Sequence, residues 1–269
     1  MSGGQGSSTG KRPCVLVFAG ADPSGGAGIQ ADIQAIVAQG AHPLTVITAL
    51  TVQDNDRVFA VHPVATELMR QQALALIEKI DIAAIKIGIV ANRANAEAIA
   101  EFIRILRRQK PDLPVVFDPV LASGHGDALA VGDVVQALAP LIDVATLITP
   151  NLMEAAALCR GEPDIEKQAA MLLERGCGHV LIKGGHGPQD QQVQNRWFTH
   201  NNGRVWQWPR LPGGFHGSGC TLASAIAGLL ACGASMQDAI DHGQAYCQRA
   251  LDRAYSIAPG QKMPARAPA

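Results

Sequence analysis

Val15-Leu16-Val17-Phe18-Ala19 runs directly into Gly20-Ala21-Asp22-Pro23-Ser24-Gly25-Gly26-Ala27-Gly28, and from there into Ile29-Gln30-Ala31-Asp32-Ile33-Gln34-Ala35-Ile36-Val37. The first five residues read as a strand. After the loop, Ile29, Ile33, Ile36 and Val37 recur at helical spacing on one face, and Gly40 supplies a natural helix end. Further strands are expected at 44–52, 84–89, 115–120, 146–149 and 179–183. Helical spacing separates nearly all of them: Leu68, Ala75 and Leu76, then Ile99, Phe102, Ile103 and Leu106, then Val134, Leu138 and Leu141. Repeated strand and helix units predict an α/β fold with a mostly parallel sheet. Past Lys183 the pattern changes. The runs 196–200 and 205–208 flank Asn201-Asn202-Gly203, whose Asn-Gly step favours a tight hairpin. Two long helical segments follow, 220–232 and 236–255, and no repeat of fixed period interrupts the series.

With 269 residues and 48% hydrophobic content, the chain is expected to form one domain. The domain is placed at 13–258, between flexible tails at 1–12, rich in Gly and Ser, and 259–269, rich in Pro and Ala. Twenty-two Lys and Arg against twenty-three Asp and Glu leave a net charge of -1, which gives no reason to expect a nucleic-acid partner. The six cysteines contain no Cys-x-x-Cys pair and sit mostly in apolar runs, so they read as reduced thiols in a core. With no recognisable signal peptide, the cytoplasm is the expected compartment. No apolar stretch approaches the roughly twenty residues needed to cross a bilayer as a helix, so no membrane partner is expected.

In a parallel sheet, ligands collect at the loops leaving the carboxyl ends of the strands. The unusual residues cluster there: 22–26, Gln53-Asp54-Asn55, Asp118-Pro119, Asn151 to Glu154, and Gly184-Gly185-His186. Gly217-Ser218-Gly219-Cys220 leads straight into an apolar helix. Free backbone N–H groups and the positive end of the helix dipole could there hold phosphoryl oxygens. The plainer reading is a glycine-rich turn before a buried helix. Cys220 lies in the first turn, where the same field is expected to lower its pKa and let it take a proton from a substrate hydroxyl; alternatively it is a small buried hydrophobe. The chain has neither Gly-x-x-x-x-Gly-Lys followed by Ser or Thr nor Gly-x-Gly-x-x-Gly, which excludes the P-loop and dinucleotide designs.

The stretch 19–32 closely resembles the opening signature of hydroxymethylpyrimidine and phosphomethylpyrimidine kinases. Val46-Ile47-Thr48-Ala49-Leu50-Thr51-Val52-Gln53, Lys86-Ile87-Gly88, Asp118-Pro119-Val120, Thr149-Pro150-Asn151-Leu152-Met153-Glu154-Ala155, Lys183-Gly184-Gly185-His186 and 216–222 follow in the family's order. The resemblance spans about 15–255. It implies a ribokinase-like three-layer α/β/α sandwich, with the hairpin in the C-terminal half, and phosphorylation by ATP with Mg²⁺ of a hydroxymethylpyrimidine or its monophosphate for thiamine biosynthesis or salvage.

By similarity, Cys220 stands at the general-base position, and the backbone of Gly217, Ser218 and Gly219 forms an anion hole. Gln53 and the loop around Ala21 and Asp32 would face the pyrimidine, where a carboxamide can both donate and accept; loop and surface roles are the alternatives. Asn151 and Glu154 look like the superfamily's Mg²⁺-supporting motif, often acting through water, and equally like a helix cap with its capping partner. Asp118 could help orient the ion or cap nearby amides. Lys183 could attract phosphate oxygens or simply snorkel, and His186 could position its loop. Two departures stand out. The stretch 121–126 lacks the lysine many relatives carry before the corresponding Ser-Gly, and Phe215 replaces a frequent threonine. Pyridoxal kinase and a catalytically silent pyrimidine-binding protein remain as alternatives, and a homodimer stays open.

Overall fold

The computed structural model describes residues 11–122, 134–185 and 191–267. In chain order they form β1 (Cys14–Ala21), α1 (Gly28–Ala38), β2 (His42–Gln53), β3 (Val58–Pro63), α2 (Thr66–Ile77), β4 (Ile82–Ile87) and α3 (Arg93–Gln109). Next come β5 (Val115–Phe117), α4 (Val134–Ile142), β6 (Leu147–Ile148), α5 (Leu152–Leu158), α6 (Ile165–Glu174) and β7 (His179–Ile182). β8 (Gln192–Phe198), β9 (Gly203–Pro209), α7 (Ser218–Ala231) and α8 (Met236–Asp252) complete the order.

Alternation along β1 decides the layers. Leu16 and Phe18 point into one core with Met69, Ile99, Phe102, Leu141 and Leu172, which come from α2, α3, α4 and α6. Val15 and Val17 point the other way, against Ile29 and Ile36 of α1, Leu222 and Ile226 of α7, and Ile240 of α8. A strand covered on both faces must be apolar at every position, which is why its sequence does not alternate. The result is the expected three-layer α/β/α sandwich.

The nine strands run in the order β3-β2-β1-β4-β5-β6-β7-β8-β9. From β2 to β7 every neighbouring pair is parallel. Antiparallel strands close both edges, β3 on one side and the β8–β9 hairpin on the other. Because β2 and β4 lie on opposite sides of β1, the chain reverses its winding there, and a crevice opens at the carboxyl end of β1. No helix among the described residues is long and apolar enough to cross a membrane.

Several local expectations need correcting. On α1, Ile33 and Val37 are exposed, and the inward face carries Ile29, Ala31, Asp32, Ala35 and Ile36. On α2, Leu68 is exposed and Met69 and Ala73 are buried. The hairpin turns over 199–202 rather than on the Asn202-Gly203 step: Gly203 pairs with Phe198, the Thr199 N–H donates to the Asn202 carbonyl at 2.8 Å, and Thr199 Oγ1 accepts from the Asn202 N–H at 2.9 Å. The chain beyond 258 is not a loose tail where it is described. Met263 and Arg266 are 3% and 2% exposed, and Tyr255 and Met263 exchange two backbone hydrogen bonds at 3.0 and 2.8 Å.

Candidate active site

The carboxyl ends of β1, β2, β5, β6 and β7 and the amino end of α7 surround a cavity of about 410 Å³. Gly20, Gln53, Asp118, Asn151, Glu154, Lys183, His216 and the whole turn Gly217 to Cys220 line it. A second cavity of about 560 Å³ adjoins it, bounded by Asn195, Trp208, Leu222 and Gln244. Lys183, Ser218 and Gly219 belong to both linings. The glycine turn therefore stands between two spaces, each of the size that holds a small molecule.

Local chemistry shapes that turn. Gly217 has φ 75°, the left-handed region, and a Cβ there would lie 2.0 Å from the Gly26 carbonyl oxygen. No side chain caps α7, so the N–H groups of its first turn are available to an outside acceptor. At Gly219 a Cβ would come within 3.0 Å of Lys183 Nζ and 3.4 Å of Asp118 Oδ2. Glycine thus keeps the backbone close to an ammonium and a carboxylate at once.

Lys183 Nζ donates to Asp118 Oδ1 at 2.6 Å, and Thr149 Oγ1 donates to the same oxygen at 3.0 Å. Burial opposes the lysine's charge, but Asp118 and Glu154 outweigh it and hold the ammonium above its ordinary value. Asn151 and Glu154 form a complete capping box: Asn151 Oδ1 accepts from the Glu154 N–H at 2.9 Å, and Glu154 Oε2 accepts from the Asn151 N–H at 2.7 Å. Burial pushes the Glu154 carboxyl up to about 7; Lys183 pulls it down and Asp118 adds to the rise. Among the described residues no group of three metal-ligating side chains occurs. Two carboxylates beside a phosphate-sized cradle are nevertheless the sparse oxygen donor set that suits Mg²⁺, which keeps waters and shares substrate oxygens.

Cys220 is buried, at the first turn of α7 and within reach of the Gly28 N–H at the start of α1. Two helix amino termini thus face one sulfur. The expected fall in its pKa does not appear. Burial pushes the thiol up to about 11, while Lys86 and the Gly28 N–H pull it down.

Asp32 needs a larger correction. It is fully buried and does not line the cavity. Its two oxygens accept from Lys86 Nζ at 2.7 and 2.8 Å, and Oδ1 also accepts from Ser224 Oγ at 2.6 Å. The inward face of α1 leaves it no route to a ligand. Burial alone would push the Lys86 ammonium down, but Asp32 outweighs it and the lysine stands above its ordinary value. Ala21 does not line the cavity either; its carbonyl accepts from Thr51 Oγ1 at 2.8 Å, and Gly20 takes its place in the wall. Gln53 does line the cavity, with its amide nitrogen donating to Thr51 Oγ1 at 2.7 Å.

Sequence reasoning quoted other residues in its motifs without giving them a role. Asp22 is fully buried; it accepts from the backbone N–H and hydroxyl of Ser24, both at 2.8 Å, and from the Ala27 N–H at 2.7 Å. Its Oδ2 also meets His216 Nε2 at 2.9 Å. Burial would raise this carboxyl, but those bonds and the His216 charge leave it below the ordinary range. Lys86, the one charged residue in the apolar strand Ile82–Ile87, was a visible signal of a buried ion pair. Ser123 to Gly126 and His186 lie outside the described residues, whereas Ala122, at the position of the missing lysine before Ser123-Gly124, lines the first cavity.

A family model described as phosphomethylpyrimidine kinase matches residues 22–265. The hydroxymethylpyrimidine/phosphomethylpyrimidine kinase of Rhizobium meliloti is 37% identical over 259 residues, covering 92% of this chain and 93% of its own length. Among solved structures, a phosphomethylpyrimidine kinase from Clostridium difficile is 31% identical with a TM-score of 0.75, covering 90% of this chain and 100% of that one. A Staphylococcus aureus pyridoxal kinase in complex with AMP-PCP and pyridoxal is 26% identical with a TM-score of 0.83, covering 96% and 94%.

Proposed function

Since the chain belongs to the phosphomethylpyrimidine kinase family, we propose that it transfers the γ-phosphoryl group of ATP to the hydroxymethyl group of 4-amino-5-hydroxymethyl-2-methylpyrimidine, or to the phosphate of its monophosphate. The observation that carries this reading is the glycine turn shared by two cavities, with Lys183 beside it. The ring occupies the cavity that holds Gln53 and Cys220, and the nucleotide enters from the side of Trp208 and Leu222. The migrating group then meets the N–H groups of Gly217, Ser218 and Gly219 midway.

Chemistry follows from that placement. Positioning and charge neutralisation supply most of the rate in phosphoryl transfer, because the transition state is loose and needs little covalent help. The turn and Lys183 hold the equatorial oxygens. Cys220 faces the attacking hydroxyl and, in its thiolate form, takes that proton late, as the new O–P bond forms and the bond to the ADP oxygen breaks. Asp118 and Glu154 would hold Mg²⁺ through water, and the ion supplies offset for the triphosphate charge.

Pyridoxal kinase is the second reading, favoured by the higher TM-score. Backbone likeness reports the shared fold, whereas ring choice is set by side chains, and there the identity to the pyrimidine kinases is greater. The test incubates the protein with ATP, Mg²⁺ and, separately, the hydroxymethylpyrimidine, its monophosphate and pyridoxal, and weighs each product. A mass gain of one phosphate on either pyrimidine, reduced on the order of a hundredfold or more in Cys220→Ala, is expected. Gain on pyridoxal alone, or on none of the three, overturns the assignment.

A further inference from the structure

We propose that Arg266 is a positioning residue for phosphoryl transfer, fixing the Gly217 to Cys220 turn against the loop after β1. The proposal rests on the reading of that turn as the phosphoryl site. Arg266 lies one residue past the stretch matched by the family model.

The segment that carries it is tied across the site. Lys262 pairs with Phe215: the His216 N–H donates to the Lys262 carbonyl and the Lys262 N–H to the Gly214 carbonyl, both at 2.9 Å. Asn55, just beyond β2, donates its amide to the carbonyls of Pro259 and Gln261, both at 3.1 Å. The Arg266 carbonyl accepts from Tyr246 Oη at 2.7 Å. Its guanidinium is thereby delivered behind the glycine turn, away from solvent.

There the fork meets three carbonyls and a hydroxyl. Nε donates to Thr221 Oγ1 at 2.8 Å, and that hydroxyl donates to the Gly217 carbonyl at 2.8 Å. Nη2 donates to the Gly26 carbonyl and, at 3.4 Å, to the His216 carbonyl; Nη1 reaches the Gly25 carbonyl at 3.5 Å. Among the described residues no carboxylate pairs with it. Carbonyls from two loops converge on one point, an arrangement their dipoles would resist without a cation between them. A planar guanidinium satisfies several at fixed angles, which a lysine ammonium does less well.

The consequence falls on the opposite face. In a trans peptide the carbonyl and the next N–H point in opposite directions. Arg266 draws the His216 carbonyl, and the Gly217 carbonyl accepts from both the Thr221 N–H at 2.9 Å and the Thr221 hydroxyl that Arg266 holds. The N–H groups of Gly217 and Ser218 are thereby turned the other way, toward the cavity. The spacing of the two loops is equally tight, since a Cβ on Gly217 would overlap the Gly26 carbonyl that Arg266 holds. Arg266 touches no reacting atom; it sets the direction of the donors that do.

The experiment compares Arg266→Lys and Arg266→Met with wild type, measuring kcat, both KM values and the melting temperature, with Gly219→Ala as a control on the turn itself. Misaligned oxyanion donors typically cost about a hundredfold in rate. The expected result is kcat down at least about tenfold in Arg266→Lys and on the order of a hundredfold in Arg266→Met, with the pyrimidine KM within about threefold. A purely structural role would lower the melting temperature and leave kcat per folded molecule unchanged, and that result overturns the proposal. If Arg266→Met does not fold, Arg266→Lys and Thr221→Val decide, the latter removing the Nε acceptor. Loss of kcat in Gly219→Ala with none in the Arg266 variants refutes the Arg266 role and leaves the turn assignment standing. Full kcat in Gly219→Ala removes the turn assignment, and the proposal with it.

Discussion

Asp32→Asn separates a structural carboxylate from a ligand-binding one. Both side chains of the Asp32–Lys86 pair are 0% exposed, and the two contacts are 2.7 and 2.8 Å. An asparagine keeps the size and an acceptor for Ser224, but leaves the ammonium buried without its counter-charge. Breaking one half of a buried pair costs roughly 3–5 kcal/mol. In a domain of this size that corresponds to a fall in Tm on the order of 10 °C. Urea unfolding and calorimetry measure the loss, and steady-state kinetics on the surviving folded protein give the pyrimidine KM, expected within about threefold of wild type. Asp32→Asn combined with Lys86→Met should recover part of the stability, because replacing both partners by neutral groups of similar shape removes the stranded charge. A variant within about 1 kcal/mol of wild type but with a pyrimidine KM raised tenfold or more would refute the placement and return Asp32 to the ring.

The remaining expectations concern the turn. Because the Cys220 thiol of the free protein is pushed up to about 11, a base in that position acts only through its small deprotonated fraction at neutral pH. kcat/KM should therefore climb with pH throughout the range from 7 toward 10, and Cys220→Asp should move that limb below neutrality. A flat profile in the wild type excludes the thiol as base. Gly217→Ala forces a side chain into left-handed backbone against the Gly26 carbonyl, so a stability loss of at least about 2 kcal/mol should accompany the fall in kcat. Unchanged urea midpoints and rates would show that the turn tolerates a wider spacing than its geometry implies.

Legibility in the sequence followed the range of the interactions involved. The strands of the parallel sheet and the Gly40 stop of α1 were readable because apolar runs and glycine punctuation are local signals. β3 was not: its apolar run, Val58 to Val61, is only four residues long and gives way at once to His62 and Pro63, and at the sheet edge none of its side chains is fully buried. The inward face of α1 was misjudged because apolar spacing cannot register a buried Asp32, whose partner lies 54 residues away. Among site residues, Gln53, Asp118, Asn151, Glu154, Lys183 and 217–220 line one cavity. Asn151 and Glu154 are visible as a cap because Asn-x-x-Glu is itself local. The Asp22–His216 contact joins segments 194 residues apart, and no spacing rule reaches that far. Composition misled at 259–267, where Pro and Ala hid a segment ordered by its partners rather than by its own propensity.

Arg266 grips the Gly26 carbonyl across 240 residues of chain, and such a contact is rewarded only after nearly everything between has been ordered. The sheet and its helices can therefore consolidate while the two glycine loops still drift apart. In refolding, the spectroscopic signature of native structure should return ahead of turnover, so that for a time the chain is a finished scaffold with an unfinished workplace.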